Sequence, residues 1–150
     1  MYITDNADIN ITKSYEGIEA AKIYVQGGKT YIVSTDDGAN AAGDEPTEKA
    51  ITQSSDDWAE IAGSGGLGGG KQAPHWGRED SSSYGYLEVS EGLLYIEAEG
   101  DGFDSNGDGL ITGGIVLVNG PTSGGNGVFD VGDNNNALTI TGGIVIGAGT

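Results

Sequence analysis

Apolar residues fall along this chain in short runs, without helical spacing over any useful length. K-I-Y-V-Q (22–26), T-Y-I-V-S (30–34), Y-L-E-V-S (86–90), L-Y-I-E-A (94–98), I-V-L-V (115–118) and I-V-I (144–146) are rich in β-branched and aromatic side chains. Glycines separate one run from the next. Such runs predict strands. Each repeat reads as a strand, a turn at Gly28, Gly92, Gly114 or Gly143, a second strand, and a Gly-centred motif. That motif recurs as E-G-I-E-A (Glu16–Ala20), D-G-A-N-A (Asp37–Ala41) and D-G-F-D-S (Asp101–Ser105), with N-G-V-F-D (Asn126–Asp130) as a looser copy.

The spacing is regular. Gly17 and Gly38 stand 21 residues apart, and Gly92 and Gly114 stand 22 apart. A period near 20 with several short strands per repeat predicts an all-β fold, a right-handed parallel β-helix (β-solenoid) of about five coils. Residues 1–150 then form a single solenoid domain. In-register side chains would stack, Ile18, Ala39, Phe103 and Val128 in one inward row, and Ile23, Leu87 and Ile111 or Leu110 in another. A loop insertion at about 43–85 interrupts the coils. It holds the low-complexity stretch G-S-G-G-L-G-G-G (63–70), Trp58, Trp76 and His75, and a short helix is predicted after Pro46.

Composition narrows the chemistry. Gly makes up 29 of 150 residues, and hydrophobic content is 36%. The formal net charge is −17 with only six basic residues, which disfavours nucleic acid and anionic membranes as partners. Bound cations would relieve the self-repulsion. There are no cysteines, so no disulfide supports the fold. No run reaches membrane-spanning length, and the first residues carry no signal peptide.

The acidic corners suggest calcium. Asp104-x-Asn106-x-Asp108-Gly109 matches the first half of an EF-hand loop, but the twelfth position is Ile115 and strands flank it. A different oxygen site is expected, assembled by stacking. Glu16, Glu19, Asp37, Asn40, Asp101 and Asp104 would share one corner of successive repeats, joined by Asp36, Asn106 and Asp108. Hard oxygen ligands suit Ca²⁺ and disfavour zinc or copper. A solvated polar turn is the competing reading. No G-x-S-x-G and no cysteine nucleophile is present, so no enzyme is expected; a calcium-dependent polysaccharide lyase stays open, with Lys13, Lys22 or Lys29 as base. Tyr31 and Tyr95 are equivalent across repeats and, with Trp58 and Trp76, could pack on sugar rings; buried rings with wet hydroxyls are the competing role for the tyrosines.

S-Y-E-G-I-E-A-A-K-I-Y-V-Q-G-G (14–28), S-T-D-D-G-A-N-A-A (34–42), G-D-G-F-D-S-N-G (100–107), I-T-G-G-I-V-L-V-N-G-P-T (111–122) and G-G-N-G-V-F-D (124–130) together resemble a family of secreted carbohydrate-binding β-helix proteins, similar in fold to calcium-dependent pectate lyases. The resemblance implies bound calcium, non-catalytic binding of polygalacturonate or cellulose, and an extracellular or cell-surface location. A second role is also expected from the residues. Ala137–Thr150 carries no charge and presents no cap, so the chain would stack head to tail on Tyr2–Thr12 of another copy and form a filament.

Overall fold

A computed structural model of the chain describes residues 1–43, 84–132 and 135–149. All of these belong to one compact unit. Trp58, Trp76, His75 and the helix expected after Pro46 lie outside the described residues. Among the described residues there are twelve strands and no helix. They are β1 (Tyr2–Ile3), β2 (Asp8–Ser14), β3 (Ile18–Glu19), β4 (Lys22–Ser34), β5 (Ala39–Ala41), β6 (Tyr86–Ala98), β7 (Phe103–Ser105), β8 (Asp108–Ile111), β9 (Ile115–Asn119), β10 (Phe129–Val131), β11 (Leu138–Ile140) and β12 (Ile144–Ala148). No helix long and apolar enough to cross a membrane occurs among the described residues.

The strands make two parallel sheets. The larger has eight strands in the order β1-β4-β6-β8-β11, with β2 also on β4 and β9 between β6 and β12. The smaller has four, in the order β10-β7-β5-β3. This corrects the expected right-handed β-helix of about five coils. A period near 20 puts successive repeats in register, and any in-register parallel sheet satisfies that condition. Division into short coil faces depends on how the backbone turns at the glycines. In β4 and β6 it does not divide: each runs on for 13 residues. Gly27, Gly28 and Gly92 are positive-φ bends inside these strands, and the β4–β6 register shifts between Val25 and Lys29. Two predicted strands thereby merge into one, and the result is a broad sheet.

Period-2 alternation buries one side of every long strand. β4 hides Ile23, Val25, Thr30 and Ile32; β6 hides Leu87, Val89, Leu94 and Ile96. Both sheets feed one hydrophobic core, with Ile18, Ala39, Ala41 and Phe103 coming from the smaller. Three in-register rows run through it. Ile3, Val25, Val89, Ile111 and Ile140 form the first. Ile9, Thr30, Leu94, Val116 and Val145 form the second. Ile18, Ala39, Phe103 and Phe129 form the third. Phe129 thus occupies the place expected for Val128. Ile23 and Leu87 do pair, but their next neighbours are Gly109 and Leu138, and Ile111 belongs to the first row.

Thr30 is the odd member of its row. Its side chain is fully buried and its Oγ1 has no hydrogen-bond partner. An unpaired buried hydroxyl costs stability, and valine has the same shape without it. Thr30→Val is expected to stabilise the chain by about 1 kcal/mol, read as a higher urea midpoint with unchanged slope. A lower midpoint would mean that the hydroxyl has a partner in solution.

Candidate functional site

The Gly-centred motifs build one corner because each places a glycine where two backbones touch. Gly17 donates to the Asp37 carbonyl at 2.9 Å, Gly38 to the Asp101 carbonyl at 2.8 Å, and Gly102 to the Gly127 carbonyl at 3.1 Å. A Cβ on Gly17 would overlap the Gly38 carbonyl oxygen, and one on Gly102 would lie 2.7 Å from the Val128 oxygen. Only glycine fits this column. The residue before each glycine is Glu16, Asp37 or Asp101, and these acids are therefore stacked on one another. A second column forms in strict register, two residues after Gly17, Gly38 and Gly102 and three after Gly127: Glu19, Asn40, Asp104 and Asp130.

Part of this acidity caps the backbone. Asp37 Oδ1 accepts from the Asp101 amide at 2.7 Å, and Asp101 Oδ1 accepts from the Gly127 amide. Asn40 Nδ2 donates to Asp37 Oδ2 at 3.4 Å. Two atoms of the corner are left over. Glu16 Oε2 and Asn40 Oδ1 are buried and have no hydrogen-bond partner.

Titration follows from this crowding. Burial, then the charges of Asp37, Asp101, Asp130 and Glu16, push the Asp104 carboxyl up to about 8. Burial, then Asp37, Asp36 and Glu19, raise Glu16 to about 7, against a hydrogen bond from Asn40 that lowers it. Burial raises Asp37 to about 6; the Asp101 amide lowers it, and the charges of Asp101, Asp36 and Asp130 raise it. Each group resists ionisation first because it is buried and then because its neighbours are also acids.

Most of the expected ligands do meet. Glu16, Glu19, Asp37, Asn40, Asp101 and Asp104 lie in the two columns, and Asp36 raises the titration of Glu16 and Asp37. Asp108 does not join them. It begins β8 in the larger sheet, in register with Tyr86, and its Oδ1 accepts from the Ala137 amide at 2.9 Å. The EF-hand-like run is thus split between sheets at Asn106, whose amide bonds the Ala41 carbonyl at 3.1 Å. Asp130 is the member that the motif reading left out of the ligand set. Its copy N-G-V-F-D carries one extra residue between glycine and register position, so Phe129 and Asp130 take the places that Phe103 and Asp104 hold one strand away. The repeated apolar-acid pair F-D was the available signal. No group of three or more His, Cys, Asp or Glu side chains able to hold a metal ion is found among the described residues. Any cation here would draw on the Asn40 oxygen or backbone carbonyls as well as carboxylates, which calcium accepts.

Tyrosines line the outward side of the larger sheet. Tyr31 and Tyr95 are in register, with ring centres 5.9 Å apart and planes 40° apart. Tyr2 and Tyr24 stack nearly parallel at 4.7 Å, and Tyr86 follows at 5.7 Å. Lys22 Nζ sits 4.4 Å over the Tyr84 ring, and Lys29 stands in register with Asp8 and Leu93. Neither lysine belongs to the acidic columns. No family model, curated protein or solved structure matches the chain.

Proposed function

We propose that the chain is a non-catalytic, extracellular, calcium-dependent binder of acidic polysaccharide. The observation that carries this reading is the acidic corner, where two stacked columns leave Glu16 Oε2 and Asn40 Oδ1 buried without partners. All donors at the corner are hard oxygens, the set that suits Ca²⁺. Glu16, Asn40 and Asp104 would hold the ion, while Asp37 and Asp101 keep the backbone in place. Bound calcium supplies positive charge and open positions for a sugar carboxylate. Without it, a chain of net charge −17 repels a uronate polymer. The tyrosine rings on the larger sheet offer apolar faces to sugar rings, and the near-parallel pair Tyr2 and Tyr24 is the flattest of them.

The test is retention on immobilised polygalacturonate with calcium and then with excess chelator. Full retention with calcium and none with chelator is expected. Asp104→Asn is expected to weaken retention at least several-fold at fixed calcium. Binding that survives the chelator would sink the calcium bridge. A rise in ultraviolet absorbance from unsaturated sugar product would overturn the non-catalytic reading.

A further inference from the structure

The two sheets stop at complementary edges. Among the described residues, β1, β2 and β3 pair on one side only, with β4 and β5, and β10, β11 and β12 likewise pair on one side only, with β7, β8 and β9. Every pairing in both sheets is parallel. The three core rows each begin on an isoleucine, at Ile3, Ile9 and Ile18, and end on Ile140, Val145 and Phe129. At that second edge the apolar side chains are left open: Ile140 is 50% exposed, and Val145 and Phe129 are half-buried.

We infer that the β10–β11–β12 edge receives the β1–β2–β3 edge of a second copy of this chain. The next copy's Ile3, Ile9 and Ile18 would then extend the three rows past Ile140, Val145 and Phe129. The contact repeats the pairing already made inside the chain, in direction and in the apolar character of the facing positions. Two like edges would meet across a two-fold axis, which either reverses the strand direction or turns the core face to the other side, so only unlike edges continue the parallel rows. Charge is even at the two edges: strands β1, β2 and β3 carry Asp8 and Glu19 against Lys13, and strands β10, β11 and β12 carry Asp130. Asp130 opposite Glu19 of the next copy is the one like-charged meeting, so added salt strengthens the contact. Because the contact is heterologous, it propagates into a rod unless its rotation closes a ring.

Sedimentation velocity and negative-stain microscopy of this chain over a range of concentrations test the inference. Rods that lengthen with concentration and with salt are expected. Addition of substoichiometric Ile140→Lys, shown by circular dichroism to be folded, should shorten them several-fold, because it binds a growing end and blocks the next addition. Ile115→Lys, an outward change on an interior strand, should leave length unchanged. Amide exchange in the wild type should slow in both β1–β3 and β10–β12 as concentration rises. A monomer at all concentrations overturns the inference, and so does a closed dimer indifferent to Ile140→Lys. Rods shortened by Ile115→Lys and untouched by Ile140→Lys would place the contact on the sheet face and also overturn it. Polysaccharide binding is read separately, so failure here leaves that proposal standing.

Discussion

Gly38→Ala is expected to cost at least about 3 kcal/mol, enough to abolish cooperative folding in a domain of ordinary stability. The added Cβ would overlap Ile96 Cγ2 and lie 2.6 Å from the Gly102 carbonyl oxygen. Ile96 is fully buried and cannot swing away without opening the core. The carbonyl belongs to the next backbone and accepts from the Ala39 amide at 2.9 Å. Relief therefore requires the two backbones to part, which removes that bond and the 2.8 Å bond from Gly38 to Asp101 as well. The loss falls on the corner that holds the acids. Gly124→Ala is the matched control: a Cβ there meets nothing within 4 Å. Thermal and urea unfolding of the two variants should differ widely. Equal stability would mean that the glycine column is not a steric requirement.

In chelator, the chain is expected to lose stability as pH rises from about 4 to about 8. Folding raises Asp104 to about 8, Glu16 to about 7 and Asp37 to about 6, from ordinary values of 3.8, 4.5 and 3.8. Below pH 4 both folded and unfolded forms hold these protons. Between the ordinary and raised values the unfolded chain releases them while the folded chain keeps them. The folded state then binds more protons, so unfolding becomes easier with each step in pH, until Asp104 itself ionises near 8. A tenfold difference in proton affinity between the two states corresponds to about 1.4 kcal/mol. The three groups interact and are partly open to water, so the total loss is expected to be at least about 2 kcal/mol, well below what three independent buried acids would give. Asp104→Asn keeps the shape and removes the acid that folding perturbs most. It should flatten the profile and be more stable than the wild type at pH 8 in chelator. Saturating calcium should flatten the wild-type profile too, since the cation takes the place of the protons. Stability that increases from pH 5 to pH 8 in chelator would contradict the raised titrations.

These outcomes depend on features that differ in how far they could be read from the chain alone. Strand positions were plain, because Ile, Val and Tyr at alternating positions leave little choice of local structure. So was the pairing of distant repeats: the match of Tyr31 to Tyr95 and of Asp37 to Asp101 follows from the spacing of glycines. The acidic columns were likewise legible, since the repeated order acid, glycine, apolar, polar puts like beside like once strands are parallel and in register.

The chain alone did not determine how those strands divide into sheets. Gly28 and Gly92 look the same in sequence whether they end a strand or bend it, and only packing against neighbouring backbones makes them bends within β4 and β6. The exchange of Val128 for Phe129 has the same origin. One additional residue in the N-G-V-F-D copy shifts the register, and the larger ring fills the row beside Phe103, with centres 6.0 Å apart. That shift also brings Asp130 into the acidic column. Asp108 leaves it because Asn106 hands the chain from the smaller sheet to the larger. Local composition thus determined which residues are strand, turn and acid. Register and burial, which arise only when separated segments meet, decided which acids share a site and which two hydrophilic atoms, Glu16 Oε2 and Asn40 Oδ1, are left there without partners.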